Sequence, residues 1–444
     1  MQYFSRDMKI PSDVELLLKK MLAISIVFLF IDIVVSPLVR SEVDFQEDIK
    51  SIKCSVQEQE LDLLRVEHYL YVNASADVGT FHIRFSFPPD YQYQVPLLLE
   101  IYNDSTTSEI LHYQIENDTF EPNKIINFTI GAMKKDDSVL LHFSCWVLVK
   151  NHDFSDLPVY VKIPKIYQLP DETKIWLDSN SMVQTHSILL RNKARELHGL
   201  SDNLIRYASR IAPFLRYHHY FLFAFELHSG LLLSQDARTT LLFSGENVGR
   251  AHMACAFFRI YHVPARVLLV NNDQGFWTQM HYMAEYYCPG YGWVLVETTS
   301  GKSPYATKHQ VINRVCYPQD EKNTKDDYIF RFMKGEERWL WIIDTNSVSP
   351  YYVDCKKGSK SRMFSEAVVS PDQLTADFAF FLTERVFRQY QSYLGVDLND
   401  ENLHHFQNAT LYQKDAINTL KGNNTEGYIS LLNKAYDEYK EISN

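Results

Sequence analysis

Residues 277–299, WTQMHYMAEYYCPGYGWVLVETT, constrain the chain more than any other stretch. Two runs rich in aromatic and β-branched residues flank C-P-G-Y-G, whose Pro and Gly mark a reversal. The runs therefore read as an antiparallel hairpin. Pairing Tyr287 with Trp293 across the turn makes His281 face Thr299 and Met283 face Glu297. His281 and Glu297 then share one face of the sheet on a diagonal, with Cβ atoms about 7–8 Å apart, within reach of an imidazole and a carboxylate. A carboxylate beside an imidazole fixes its tautomer and supports an imidazolium. Those are two of the three members of a nucleophile–His–acid device. The plain alternative is a cross-strand His–Glu pair with no chemistry, and the position of a third group decides between them.

Upstream, SGENVGRAHMACAFFRIYHVPARVLLV (244–270) reads as a cap, a buried helix over 248–262, a break at Pro264 and a strand. A helix N-terminus lowers a thiol's pKa and holds an oxyanion, so the start of this helix is the natural place for a nucleophile. Asn247 stands there. Asn is also among the best N-caps, worth about 1 kcal/mol over Ala, and the sequence assigns it that role as well.

The rest of the chain falls into regions. Residues 45–165 alternate apolar and polar residues in short runs such as EHYLYVNA, FHIRFSF, KIINFTI, SVLLHFSCWVLV and PVYVKI. That is the pattern of an antiparallel β-sandwich, and it concentrates no catalytic residue types. Residues 166–365 hold an α+β unit, with helical periodicity from about 183, Ser201 and Asp202 as caps, then the strands above, with ERWLWII as a further strand. Residues 366–444 read as an amphipathic helical tail, broken at Gly422, Asn423 and Asn424.

Residues 21–39, MLAISIVFLFIDIVVSPLV, are almost continuously apolar and follow Lys19 and Lys20. Within an N-terminal region 1–44 they read either as a signal-anchor helix, which needs about 20 residues, or as a cleaved signal peptide. Asp32 and Pro37 weigh against a span. Both readings place residue 45 onward outside the cytoplasm, membrane-anchored in one case and secreted in the other. Asn73, Asn103, Asn117, Asn127, Asn408 and Asn423 begin N-x-S/T sequons. The net charge is −11 with acidic residues spread along the chain and no basic stripe, which argues against nucleic-acid binding. Six cysteines lack a C-x-x-C pair, so no zinc ribbon or thioredoxin-like site is indicated. Cys54 and Cys145 can form a disulfide. No metal or cofactor motif emerges.

The motif G-x-N-x-x-x-A from Gly245, then F-F-R-x-x-H-V-P-A-R, M-H-Y-M-A-E-Y-Y and P-G-Y-G-W-V-L-V-E-T-T, together resemble the transglutaminase-like superfamily of the papain-type cysteine-enzyme fold. That family's core reads roughly G-x-C-x-x-x-A, R-x-x-G-I-P-A-R, H-x-W-x-E and G-W-x-x-x-D. The resemblance covers residues 183–305. It implies an α+β transglutaminase/papain-like core preceded by the sandwich and followed by the helical tail. It implies His281 as general base, Glu297 as orienting acid, Pro264 and Arg266 as the P-A-R break, and Gly245 as the glycine before the nucleophile. It also implies acyl chemistry on a peptide or protein substrate. At the site the chain departs from the family: Glu297 stands in place of the usual Asp, Met283 replaces the usual Trp, and Asn247 replaces the nucleophilic Cys. An amide nitrogen is not nucleophilic at neutral pH. Cys255 and Cys288 are the alternative thiols, one on the buried helix and one at the far end of the His281 strand. His252 reads as a core histidine. Three functions follow: a catalytically degenerate protein that binds peptide or polymer, an active acyltransferase or peptidase with a displaced nucleophile, or a non-enzymatic surface protein.

Overall fold

A computed structural model describes residues 58–102, 110–218, 234–243, 245–272, 280–323, 352–354 and 360–442. The apolar run 21–39, Cys54, Asn103, ERWLWII and Cys355 lie outside the described residues.

The N-terminal half is built from six strands: β1 (Leu61–Ala74), β2 (Phe81–Phe87), β3 (Gln94–Ile101), β4 (Ile110–Asn117), β5 (Lys124–Ile130) and β6 (Ser138–Lys150). Period-2 alternation buries one face of each. β1 and β6 pair antiparallel from Leu61↔Lys150 to Asn73↔Ser138, and β3 flanks β6. β2, β5 and β4 make a second sheet of three strands. The two sheets meet through aromatic contacts, with Phe85 edge-on to Phe143 at 5.4 Å and Phe128 against Phe143 at 5.3 Å. These pairs add to the burial of large rings at the sandwich centre. The run PVYVKI is not a strand. Its only ladder contact is an isolated bridge between Lys162 and Asn203, and Val159 is exposed. No sheet edge covers this segment, and alternation alone cannot supply one. Cys145 is buried in the core as a free thiol.

The helices α1 (Ile188–His198), α2 (Leu204–Tyr217), α3 (Ala237–Leu242) and α4 (Asn247–Ile260) come next. The cap of α2 is Asn203, whose side chain accepts the Ile205 N–H at 3.0 Å, rather than Ser201 or Asp202. Residues 248–259 of α4 are all buried, as expected of a helix with Ala, Met, Cys and Phe all round. Arg259 forks onto Glu321, both without solvent exposure, and donates to the carbonyls of Ala265 and Asp178. After Pro264 come β7 (Ala265–Asn272), β8 (Met280–Cys288), β9 (Gly292–Val296) and β10 (Gln310–Val315), in sheet order β10-β7-β8-β9, all antiparallel. Glu321 lies on α5 (Pro318–Asn323).

The C-terminal part returns to the first sheet. β11 (Val353–Asp354) and β12 (Lys360–Val369) both pair with β1, so that sheet has strands from either side of the core. Three helices follow: α6 (Gln373–Tyr393), α7 (Asp400–Lys421) and α8 (Thr425–Glu441). In α6, Phe387 stacks on Phe87 of β2 and the Tyr390 hydroxyl donates to the Leu99 carbonyl of β3 at 3.1 Å. Gln413 of α7 donates to the Leu97 carbonyl at 2.8 Å. The molecule is thus mixed α/β with antiparallel sheets, a central α+β core and a helical C-terminal region. Among the described residues no helix is long and apolar enough to cross a membrane.

Candidate active site

The hairpin sets the site. β8 and β9 pair Tyr287↔Trp293 and Ala284↔Val296, in the register read from the sequence. Gly290 and Gly292 take positive φ in the turn, a conformation open to glycine. β9 stops at Val296, and Glu297 turns to bridge Lys302. That turn brings its carboxylate to His281, with Nε2 to Oε1 at 2.7 Å. Glu297 is 2% exposed. Burial alone would raise its carboxyl. The His281 hydrogen bond and the N–H groups of Thr299 (3.0 Å) and Ser300 outweigh burial and hold it at about 2. Neither Thr299 nor Ser300 was singled out from the sequence. A carboxylate two residues before consecutive Thr and Ser is a weak signal for such a turn.

An ionised carboxylate only accepts, so His281 Nε2 carries the proton of that bond. Nδ1 points at Asn247, whose amide Nδ2 donates to it from 3.0 Å. The structure therefore brings Asn247, His281 and Glu297 into one chain of hydrogen bonds. Asn247 is not the N-cap of α4. Glu246 holds that position without a side-chain cap bond, and Asn247 is the first helical residue. Its amide N–H goes to the imidazole instead.

Around this row the α4 N-terminus is strapped from α3 and the loop before it. Gln235 Oε1 accepts the Glu246 N–H at 2.8 Å, and its carbonyl accepts from His252 Nδ1 at 2.6 Å. His252 is fully buried and satisfied, a core residue as the sequence suggests. A Cβ on Gly245 would meet Thr240 Cγ2 at 2.4 Å, and one on Gly249 would meet Thr240 Oγ1 at 2.4 Å. Both glycines are there for close approach. Arg250 N–H makes the first helical bond, to Glu246 O at 3.0 Å, so the N–H groups of residues 247–249 have no intrahelical acceptor.

Arg266 of the V-P-A-R break lies apart from the three site residues in role. It faces Glu285 across the β7–β8 ladder, ion-pairs with it, and sits 3.7 Å from the Trp293 ring and 4.4 Å from that of Trp176. It is a buried, caged structural cation. Pro264 stands at the break, its carbonyl accepting the Tyr287 N–H at 2.8 Å. Cys255 is fully buried in α4, and burial pushes its thiol far up. Burial likewise lifts Cys288 to about 11. Both are poor thiolates at neutral pH. Met283 is fully buried. Among the described residues no group of three His, Cys, Asp or Glu is arranged to hold a metal.

Residues 193–298 match the family model of the Transglutaminase-like superfamily, and this part of the chain is a transglutaminase-like core. The match takes in α4, the V-P-A-R break and the hairpin, with Asn247, His281 and Glu297 all inside it. No curated protein matches the chain. Solved structures similar to it include a candidate cysteine protease from Cytophaga hutchinsonii, at 14% identity and a TM-score of 0.46 over 71% of this chain and 92% of that one. The periplasmic domain of TgpA from Pseudomonas aeruginosa aligns at 12% identity and 0.26, over 54% and 88%. A candidate protease from Parabacteroides distasonis aligns at 12% and 0.23, over 55% and 47%.

Proposed function

We propose that the chain is a catalytically silent transglutaminase-like protein that binds a peptide or polymer segment at the α4–hairpin site. The observation that carries this reading is the bond between Asn247 Nδ2 and His281 Nδ1. An electron pair delocalised into a carbonyl occupies the place where the chemistry needs a thiolate. The base and its orienting acid are kept, but the base has no nucleophile to activate. Burial of Cys255 and Cys288 speaks against a displaced nucleophile among the described thiols. The protein works outside the cytoplasm and is held to a membrane by residues 21–39, a reading supported by that apolar run behind two lysines and by the sequons.

A peptidyl electrophile that labels reactive thiols tests the site. Wild type is expected to remain unlabelled and to turn over no peptide or glutamine substrate. Asn247→Cys is expected to be labelled in a His281-dependent manner. Turnover by wild type that is lost in His281→Ala would overturn the reading.

A further inference from the structure

The outer side of α6 carries a feature that neither the core nor the site uses. Leu374, Phe378 and Phe381 are 80%, 47% and 50% exposed. Steps of four and three residues at 100° each keep them within an arc of about 60°. The opposite side of the helix, including Ala379, Val386 and Tyr390, is already committed to the interior. The exposed line continues into Arg385, whose guanidinium stands 5.6 Å from the Phe381 ring. Large apolar side chains ending in an arginine suit a helix lying at a lipid boundary.

The point where the chain arrives says what covers this stripe. Glu58 bridges Asp372, the N-cap of α6, and the Gln59 N–H donates to the Pro371 carbonyl at 2.9 Å. The 57 residues that precede Glu58 therefore join the fold two residues from Leu374, and they contain the apolar run ending at Val39. Eighteen residues lie between Val39 and Glu58, a span of at most about 65 Å when fully extended. An anchor there confines the stripe to the neighbourhood of the bilayer and raises its effective concentration at the lipid surface.

We infer that Leu374, Phe378 and Phe381 form a second, interfacial membrane contact that holds the protein against the bilayer beside its anchor. This rests on the membrane-anchored reading proposed above.

The full chain is made with Cys54→Ser and Cys355→Ser, leaving four cysteines that are buried. Phe378→Cys is then labelled with an environment-sensitive fluorophore and reconstituted in phosphatidylcholine–phosphatidylglycerol vesicles. Leu200→Cys, on a fully exposed turn, is the comparison position. The label at 378 is expected to be quenched by spin-labelled acyl chains and shielded several-fold from iodide relative to 200. Leu374→Ser with Phe381→Ser is expected to abolish both effects while the chain still floats with the vesicles. Flotation with equal iodide quenching at both positions would overturn the interfacial contact alone. Iodide shielding without lipid quenching assigns the stripe to a second copy of the chain and overturns it too. Failure to float overturns the anchor and this inference together.

Discussion

Glu297 is the residue whose contribution is most readily measured. Its carboxyl is held at about 2 although burial works against it, and an unfolded Glu titrates near 4.3. A group depressed on folding adds stability above its unfolded pKa and loses it as pH falls through the folded one. The full difference corresponds to roughly 3 kcal/mol. Glu297→Gln is therefore expected to lower stability by roughly 2–3 kcal/mol at pH 7, with the gap to wild type closing between pH 4 and pH 2, as urea unfolding at each pH would show. The hairpin register that aims His281 and Glu297 at each other was legible because strand side chains repeat every two residues and the turn fixes register, whereas the contact itself comes from the turn after Val296. The role of Asn247 was only half legible. Its position at the helix start follows from pattern, whereas its choice of the imidazole over a cap depends on a hairpin that arrives from 34 residues away.

At the scale of elements, α4 is located by close approach and by one buried ion pair. Gly249→Ala drives a methyl into Thr240 Oγ1, and is expected to cost about 1–3 kcal/mol by overpacking. Thr240→Ala in the same chain removes the nearest atom and should recover part of that loss, a coupling that a double-mutant cycle measures. Arg259→Met leaves the buried Glu321 carboxylate without its guanidinium, and a loss of about 3–5 kcal/mol in thermal or urea unfolding is expected. Helix periodicity placed α4 within a couple of residues, 248–262 against Asn247–Ile260. It put the α2 cap one or two residues early, because Ser201, Asp202 and Asn203 are all capping types and only geometry selects Asn203. PVYVKI failed as a strand for the complementary reason: alternation describes a chain that fits a sheet, and here no sheet edge takes it.

For the whole molecule, what sequence could not supply was long-range pairing. β12 lies some 300 residues from β1 and completes its sheet, and no local pattern encodes that partner. The sequons also sort at this scale. Asn423 stands exposed in the α7–α8 turn, while Asn127 sits on the central strand of its sheet with its amide donating to Glu116 at 3.0 Å. In a secretory host, glycopeptide mass spectrometry is expected to find Asn423 modified and Asn127 bare. Above all, the fold must carry residues 247, 281 and 297 from separate elements to one point. The most direct test of that assembly is the pH dependence of alkylation of Asn247→Cys by iodoacetamide, with and without His281→Ala. A thiol delivered to a helix N-terminus and an imidazole is expected to react with a midpoint at least about one pH unit below the usual 8.5, shifting back toward it when His281 is removed. An ordinary midpoint that is indifferent to His281 would contradict the account.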